Sequence, residues 1–227
     1  MGYSLKILRQ KFEIPDNFIL NVDATGGNSL TFYQDKRQAD IEIGQDDELL
    51  AMAAKVKMGL INPLLATYYF QKDITEQEIK YANSFIGLIS PLLDAWEMKT
   101  IKKYAPDLIT QEIEDIIDMM TYFEKLKKQD VFKNKDFEKE KRIYLSLWAM
   151  AHALEITDSI KIEILYFFDN TEQWERYLKT LKELVTKDPD VYLLPKLIEV
   201  TGGADYTAKV IDKPYWHFEI KNPAASQ

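Results

Sequence analysis

Apolar and polar positions follow two different periods, one near the start of the chain and another over most of the remainder. Residues 18–23 alternate, with Phe18, Leu20 and Val22 on one side, and a period of two is typical of a β-strand. The Gly26-Gly27 pair that follows favours a turn. Further strand-like segments lie at residues 3–12, 30–34 and 39–43. These segments predict four short strands in an antiparallel meander whose apolar face is covered by helices.

Helical periodicity takes over after Gln45. Residues 48–58 predict a helix that Gly59 would terminate. Thr75 and Glu78 form a capping box, and Pro91 either kinks the helix that they begin or opens the next one, which reaches about Tyr104. Two amphipathic stripes predict helices at residues 107–128 and 171–185, and a last short helix is expected from about 189 to 200.

Residues 141–155 form the most continuously apolar segment. Only Ser146 and His152 interrupt its apolar run. A helix that is apolar on every side must be surrounded by its neighbours in a soluble protein. The pattern therefore predicts a buried central helix, with Asn134 as its N-cap.

The C-terminal segment predicts one more strand. Alternation in residues 215–220 places Trp216, Phe218 and Ile220 on one wholly apolar face, with Tyr215 on the other. We expect this strand to return to the N-terminal sheet, or alternatively to pair with another protein. Tyr215, Trp216 and Phe218 are accordingly the predicted partner-binding residues.

Together these patterns predict an α+β fold in a single domain spanning residues 1–227. The expected parts are a β-rich segment at 1–45, a helical part at 46–205, and a C-terminal strand and tail at 206–227. The longest uncharged run, residues 58–71, is shorter than the roughly 20 apolar residues that span a bilayer. With no apolar stretch near the first residues that would suit a secretory signal, we expect a cytoplasmic protein without a membrane segment.

Charge and composition exclude several classes of function. The formal net charge is −8, which argues against general nucleic-acid binding because a phosphate backbone attracts basic surfaces. The mixed-charge stretch from Lys125 to Lys141 is the one candidate for such binding. The chain contains no cysteine, so disulfides, thiolate metal sites and cysteine nucleophiles are excluded.

The two histidines are the residues to consider first for a metal site or for catalysis. His152 and Glu155 share a helix face, which is half of a metal site, but the chain has too few further ligands of the usual kind. His217 has no accompanying nucleophile motif. We therefore expect no metal, no cofactor and no catalytic residue.

Three further clusters are interpreted as structural. Residues 25–28 lack a phosphate-binding pattern and favour a hairpin turn. Aromatic residues 166–168 and Trp174 favour a core over a ligand pocket. An acidic face on the helix at 107–128 is typical of a solvated surface, and consists of Glu112, Glu114, Asp115 and Asp118.

The leading hypothesis is a non-enzymatic protein–protein interaction protein: an adaptor, an assembly chaperone, an inhibitor-like partner or a subunit of a larger particle. Its partner would be another protein or a second copy of the chain. One alternative is an enzyme that uses scattered carboxylates and tyrosines, and another is nucleic-acid binding through the stretch from Lys125 to Lys141. A pocket with converging polar groups would favour the enzyme, whereas an exposed apolar patch would favour the partner protein.

Overall fold

The computed structural model describes residues 4–33, 35–45, 48–66, 76–128, 138–156, 171–200, 206–210 and 216–220. This part of the chain is mostly helical, with a small mixed three-stranded sheet near the N-terminus and a separate two-stranded sheet near the C-terminus. The predicted α+β class is confirmed at this level. None of the described helices is long and apolar enough to cross a membrane.

The first element is a helix, α1 (Leu5–Lys11), so the strand predicted at residues 3–12 is wrong. Leu5, Leu8 and Phe12 recur at spacings of three and four, which places them on one helical face. Leu8 and Phe12 are fully buried, and Leu5 packs against the same core. The helical period therefore outweighed the strand-like composition of this segment.

The N-terminal sheet contains β1 (Ile19–Asp23), β2 (Ser29–Tyr33) and β3 (Gln38–Glu42) in the order β1-β3-β2. Strand β3 is parallel to β1 and antiparallel to β2, so the predicted four-stranded antiparallel meander is wrong. The segment at residues 25–28 is not a hairpin turn either, because it joins two strands that lie on opposite sides of β3. Ala39 and Ile41 of β3 are buried, whereas β1 is mostly exposed; the more buried strand takes the central position.

Helix α2 (Glu48–Ile61) continues through Gly59, which was predicted to end it. Gly59 is buried, and a Cβ atom added there would lie 2.7 Å from the Phe32 ring of β2. The glycine therefore permits close packing of α2 against the sheet. A 3₁₀ turn follows at Pro63–Leu65, where the Asn62 side chain accepts a hydrogen bond from the Leu64 amide.

Helix α3 (Glu76–Tyr104) is one continuous helix that contains Pro91, so Pro91 does not open a new helix. Proline cannot donate the helical hydrogen bond to the carbonyl group of Gly87, while the Ser90 hydroxyl donates to the carbonyl oxygen of Ile86. Helix α3 contacts α2 and also five elements that follow it: α4 (Ile109–Lys128), α5 (Glu138–Leu154), α6 (Thr171–Val185), α7 (Pro195–Val200) and strand β5 (Trp216–Ile220). It is thus the helix about which much of the described fold is arranged.

Helices α4 and α6 bury most of the apolar stripes predicted for them. The buried members are Ile109, Ile116, Met120 and Phe123 on α4, and Tyr177, Leu178, Leu181, Leu184 and Val185 on α6. Helix α5 is the segment predicted to be the central helix; Tyr144, Leu145, Leu147, Trp148, Ala149, Ala151 and Leu154 are buried. Ile143 on the same helix is 37% exposed, so α5 is not enclosed on every side. Asn134, its predicted N-cap, lies outside the described residues.

The C-terminal strand β5 pairs antiparallel with β4 (Tyr206–Val210), an element that the sequence did not predict. It does not join the N-terminal sheet in the described part of the chain. A hairpin closes a short loop, whereas pairing with the N-terminal strands would close a much longer one, which costs more chain entropy. Tyr215 lies outside the described residues, and only the backbone of Trp216 and Phe218 is described. Their partner-binding role remains a prediction.

Candidate functional site

A cavity of about 430 Å³ lies between β2, α2 and α3. One wall comes from residues 28–31, which include the first residues of β2. Helices α2 and α3 and the 3₁₀ turn supply the remainder. The lining residues are Asn28, Ser29, Leu30, Thr31, Met52, Lys55, Met58, Leu65, Ala66, Leu93, Asp94 and Glu97.

Three charged side chains meet at this cavity. Lys55 lies on α2, while Asp94 and Glu97 are three residues apart on α3 and therefore share a helix face. The Lys55 ammonium nitrogen is 3.5 Å from Oε2 of Glu97. Glu97 as a whole is only 7% exposed. Two carboxylates and one ammonium group thus meet at a site where Glu97 is buried and the Lys55 side chain is 34% exposed.

The three charged groups change one another's pKa values. Burial raises the pKa of Glu97 to about 7, against the attraction of Lys55 and with repulsion from Asp94 and Glu112. Burial also raises the pKa of Asp94 above its ordinary value. The attraction of Glu97 is the main reason that the pKa of Lys55 is raised. Lys55 therefore stays charged near neutral pH, while the carboxyl pair holds a proton more readily than exposed carboxyl groups do.

Asp94 links the cavity to helices α5 and α6. The Ser146 hydroxyl of α5 donates a hydrogen bond to its carboxylate and opposes the rise of its pKa. The phenol of Tyr177 on α6 donates to the carbonyl oxygen of Leu88 at 2.7 Å. Burial, with repulsion from Asp94, raises the pKa of this phenol. Ser146, one of the two polar interruptions in the apolar run of α5, thus has a partner in the core.

A second cavity of about 670 Å³ lies between α3 and α5, and Asp94 lines it as well. The guanidinium group of Arg142 is at its wall, close to Gly87, where an added Cβ atom would lie 3.2 Å from Cζ of the arginine. The other lining residues are Ile86, Ser90, Pro91, Ile143, Ser146, Leu147 and Met150. Asp94 therefore separates two cavities.

His152 and Glu155 do not form a joint site. The His152 ring packs against Trp148 with 4.2 Å between centroids, and burial, assisted by Lys182, lowers its pKa to about 4. Glu155 follows the end of α5 with a positive φ of 63° and pairs with Lys102 at 3.2 Å. Among the described residues, no three histidine or carboxylate side chains are grouped as a metal would require.

The remaining candidate residues lie at the surface, in the core, or outside the described residues. Glu114, Asp115 and Asp118 are exposed, as expected of a solvated helix face, while Glu112 is only partly exposed. Trp174 packs edge-on against Tyr177 with ring centroids 5.2 Å apart, as the core interpretation requires. Residues 166–168 are not described, and only the backbone of His217 is.

Sequence reasoning missed Lys55, Asp94 and Glu97. A signal was present, because these charges interrupt apolar stretches: Lys55, together with Lys57, within residues 49–61, and the two carboxylates within residues 92–98. A charge flanked by buried helical positions is a candidate for a buried charge. The sequence alone did not indicate that these three charges lie together.

No protein family, curated protein sequence or solved structure matches this chain. Any assignment of function therefore rests on the geometry of the site.

Proposed function

We propose that this protein binds a small polar molecule in the cavity between β2, α2 and α3. The observation that carries the proposal is the position of Glu97, a carboxyl group that is 7% exposed yet lines an open cavity. The volume of about 430 Å³ falls within the roughly 300–1,000 Å³ common for small-molecule sites. Buried ionisable groups with shifted pKa values beside a cleft are typical of functional sites.

A purely structural role accounts less well for this cluster. A buried ion pair seldom improves stability over an apolar pair of similar volume, because removing the charges from water is costly. Here Lys55 faces two carboxylates, so one negative charge is left without a counter-charge when both are ionised. A ligand with a complementary polar group would compensate that charge.

A fragment screen tests the proposal. Met52 and Met58 line the cavity, and their ¹³C-labelled methyl groups report its occupancy by NMR. We expect at least one polar fragment to shift both signals, and to lose this effect in Thr31→Phe, which fills the cavity from β2. Thr110→Phe, on the exposed surface of α4, is the matched control. A diverse library that shifts neither methyl signal would overturn the proposal.

If the protein is an enzyme, the carboxyl group of Glu97 is its candidate general acid or base. A carboxyl with a pKa of about 7 matches the proton affinity needed of a general acid or base near neutral pH. In an enzyme, the Glu97 carboxyl group would be required to convert the ligand and not only to bind it. Conversion of a bound fragment by the wild-type protein, absent in Glu97→Gln, would identify it.

A second candidate function, a protein–protein interaction, is supported by the edge of the N-terminal sheet. In the described part of the chain β1 pairs only with β3, and Ile19 and Val22 on this edge strand are 51% and 37% exposed. Unpaired backbone groups on an edge strand can accept a strand from another protein. The partner would be another protein or a second copy of the chain.

The direction of the β1 backbone supplies a sharp test. The Ile19 amide donates towards β3, to the carbonyl oxygen of Arg37, so the amides of Leu20 and Val22 point away from β3. Val22→Pro removes one outward donor and leaves the inner ladder intact, while Val22→Thr retains the donor. We expect co-purification with a stoichiometric partner, or self-association, for the wild type and Val22→Thr but not for Val22→Pro. Equal association of all three would exclude pairing through β1.

A further inference from the structure

When both carboxyl groups are ionised, the residues that line the cavity carry one more negative than positive charge. Lys55 from α2 is the one cationic side chain among the residues that line it, and Asp94 and Glu97 from α3 are the two anionic ones. Glu112 of α4 adds repulsion at Glu97, and Glu48 of α2 acts on Lys55. Ser146 of α5 supplies one donor to Asp94, and Tyr177 of α6 is neutral. β2 contributes only uncharged side chains to the lining.

We propose that the ligand is a small organic cation whose ammonium or amidinium group lies between the carboxylates of Asp94 and Glu97. This inference rests on the proposed ligand-binding function and specifies its chemical class. The cavity also has apolar walls, formed by Met52, Met58, Leu65 and Leu93 among others, which would contact the uncharged part of the ligand.

Other ligand classes fit the lining less well. An anion would meet two carboxylates, and the one ammonium group available to it is already paired with Glu97 at 3.5 Å. A metal ion usually requires three or more protein ligands, and the described residues contain no such group. An organic cation needs only charge-assisted hydrogen bonds to one or two carboxylates.

Binding of a cation would be linked to loss of a proton. The carboxyl pair must be ionised to attract the cation, and Glu97 titrates with a pKa of about 7. Raising the pH through this value therefore strengthens binding. For one group of this pKa, the ionised fraction rises about tenfold between pH 6 and pH 8, and affinity should rise by about the same factor. An alkylammonium ligand keeps its own charge over this range, since amines of the lysine type titrate near pH 10.4.

Three probes of similar shape test the charge requirement: phenethylamine, phenethyl alcohol and phenylacetate. We expect phenethylamine to bind at least tenfold more tightly than either of the others, with the dissociation constants measured from the shifts of the Met52 and Met58 methyl signals. Met150 lines the second cavity and Met119 is exposed on α4, so their signals identify binding elsewhere. Equal or stronger binding of the alcohol or the carboxylate, or amine binding that shifts Met150 instead, would overturn the cation assignment.

Glu97→Gln removes the charge while keeping the shape of the side chain. We expect this variant to lose most of its affinity for phenethylamine and the pH dependence, and to keep whatever affinity it has for phenethyl alcohol. Glu114→Gln, on an exposed position of α4, should behave as the wild type. The comparison of probes and the pH series use wild-type protein, so they decide the matter even where Glu97→Gln fails to fold.

The outcomes separate this inference from the proposed function. Fragments that occupy the cavity without a preference for cations, or with an affinity that does not rise with pH, overturn the inference and leave ligand binding in place. A screen in which nothing shifts Met52 or Met58 overturns both.

Discussion

Gly59 provides the clearest test of the packing between α2 and the sheet. An alanine in a helix interior is ordinarily more favourable than glycine by about 1 kcal/mol. At Gly59, however, the new Cβ would lie 2.7 Å from Cδ2 and Cε2 of Phe32 and 2.8 Å from Cβ of Ala66, where ordinary contacts begin at 3.4 Å. The Phe32 ring would therefore have to move by about 0.7 Å to restore ordinary contact. It is 3% exposed and packs on Phe18, so little space is available.

Overpacking of this kind costs about 1–3 kcal/mol, against a gain in helix propensity of about 1 kcal/mol. We expect Gly59→Ala to lower the free energy of unfolding by up to about 2 kcal/mol, and the melting temperature by up to about 8 °C for a chain of this size. Urea denaturation followed by circular dichroism measures the first quantity.

Gly87→Ala in α3 is the matched control. Its nearest neighbours would be the guanidinium atoms of Arg142, an exposed side chain that can move aside. We expect it to raise stability by about 0.5–1 kcal/mol. Combining Gly59→Ala with Phe32→Leu should cost less than the sum of the two single changes, because the smaller side chain relieves the contact. An increase in stability for Gly59→Ala equal to that for Gly87→Ala would refute the close packing described above.

Three further predictions concern helices α3 and α5. Trp148 is 7% exposed, so Trp148→Ala should reduce the free energy of unfolding by about 3–5 kcal/mol, whereas the exposed Tyr122→Ala should change it by about 0.5 kcal/mol or less; equal losses would place Trp148 at the surface. The pKa of Glu97 rises from 4.5 to about 7 on folding, so its contribution to stability falls as pH rises through that interval, and Glu97→Gln should flatten the decline in denaturation series at successive pH values. The pKa of His152 falls from 6.5 to about 4, so the wild type should lose stability as pH falls between these values, and an unchanged slope in His152→Gln would show that this histidine is not buried in its neutral form.

The sequence by itself determined much of the helical architecture. The stripes on α4 and α6 depend on a period of about 3.6 residues, which is a property of the local sequence and therefore needed no knowledge of distant residues. The alternation at residues 18–23 likewise identified β1. The sequence left open whether Pro91 lies within one helix or opens a new one, because a proline removes only one helical hydrogen bond. The structure has one continuous helix there, which contacts α2 and five later elements.

The pairing of strands and the charged site were decided only by the tertiary structure. The position of β3 between β1 and β2 could not be predicted from the sequence, because period-two patterns do not specify which strands pair. Gly59 looked like a helix end because the Phe32 ring that requires its small size belongs to another element. Lys55 and Glu97 are separated by more than forty residues and lie 3.5 Å apart only because α2 packs against α3. The pKa of Glu97 depends on burial by several helices together, which no local pattern of residues contains.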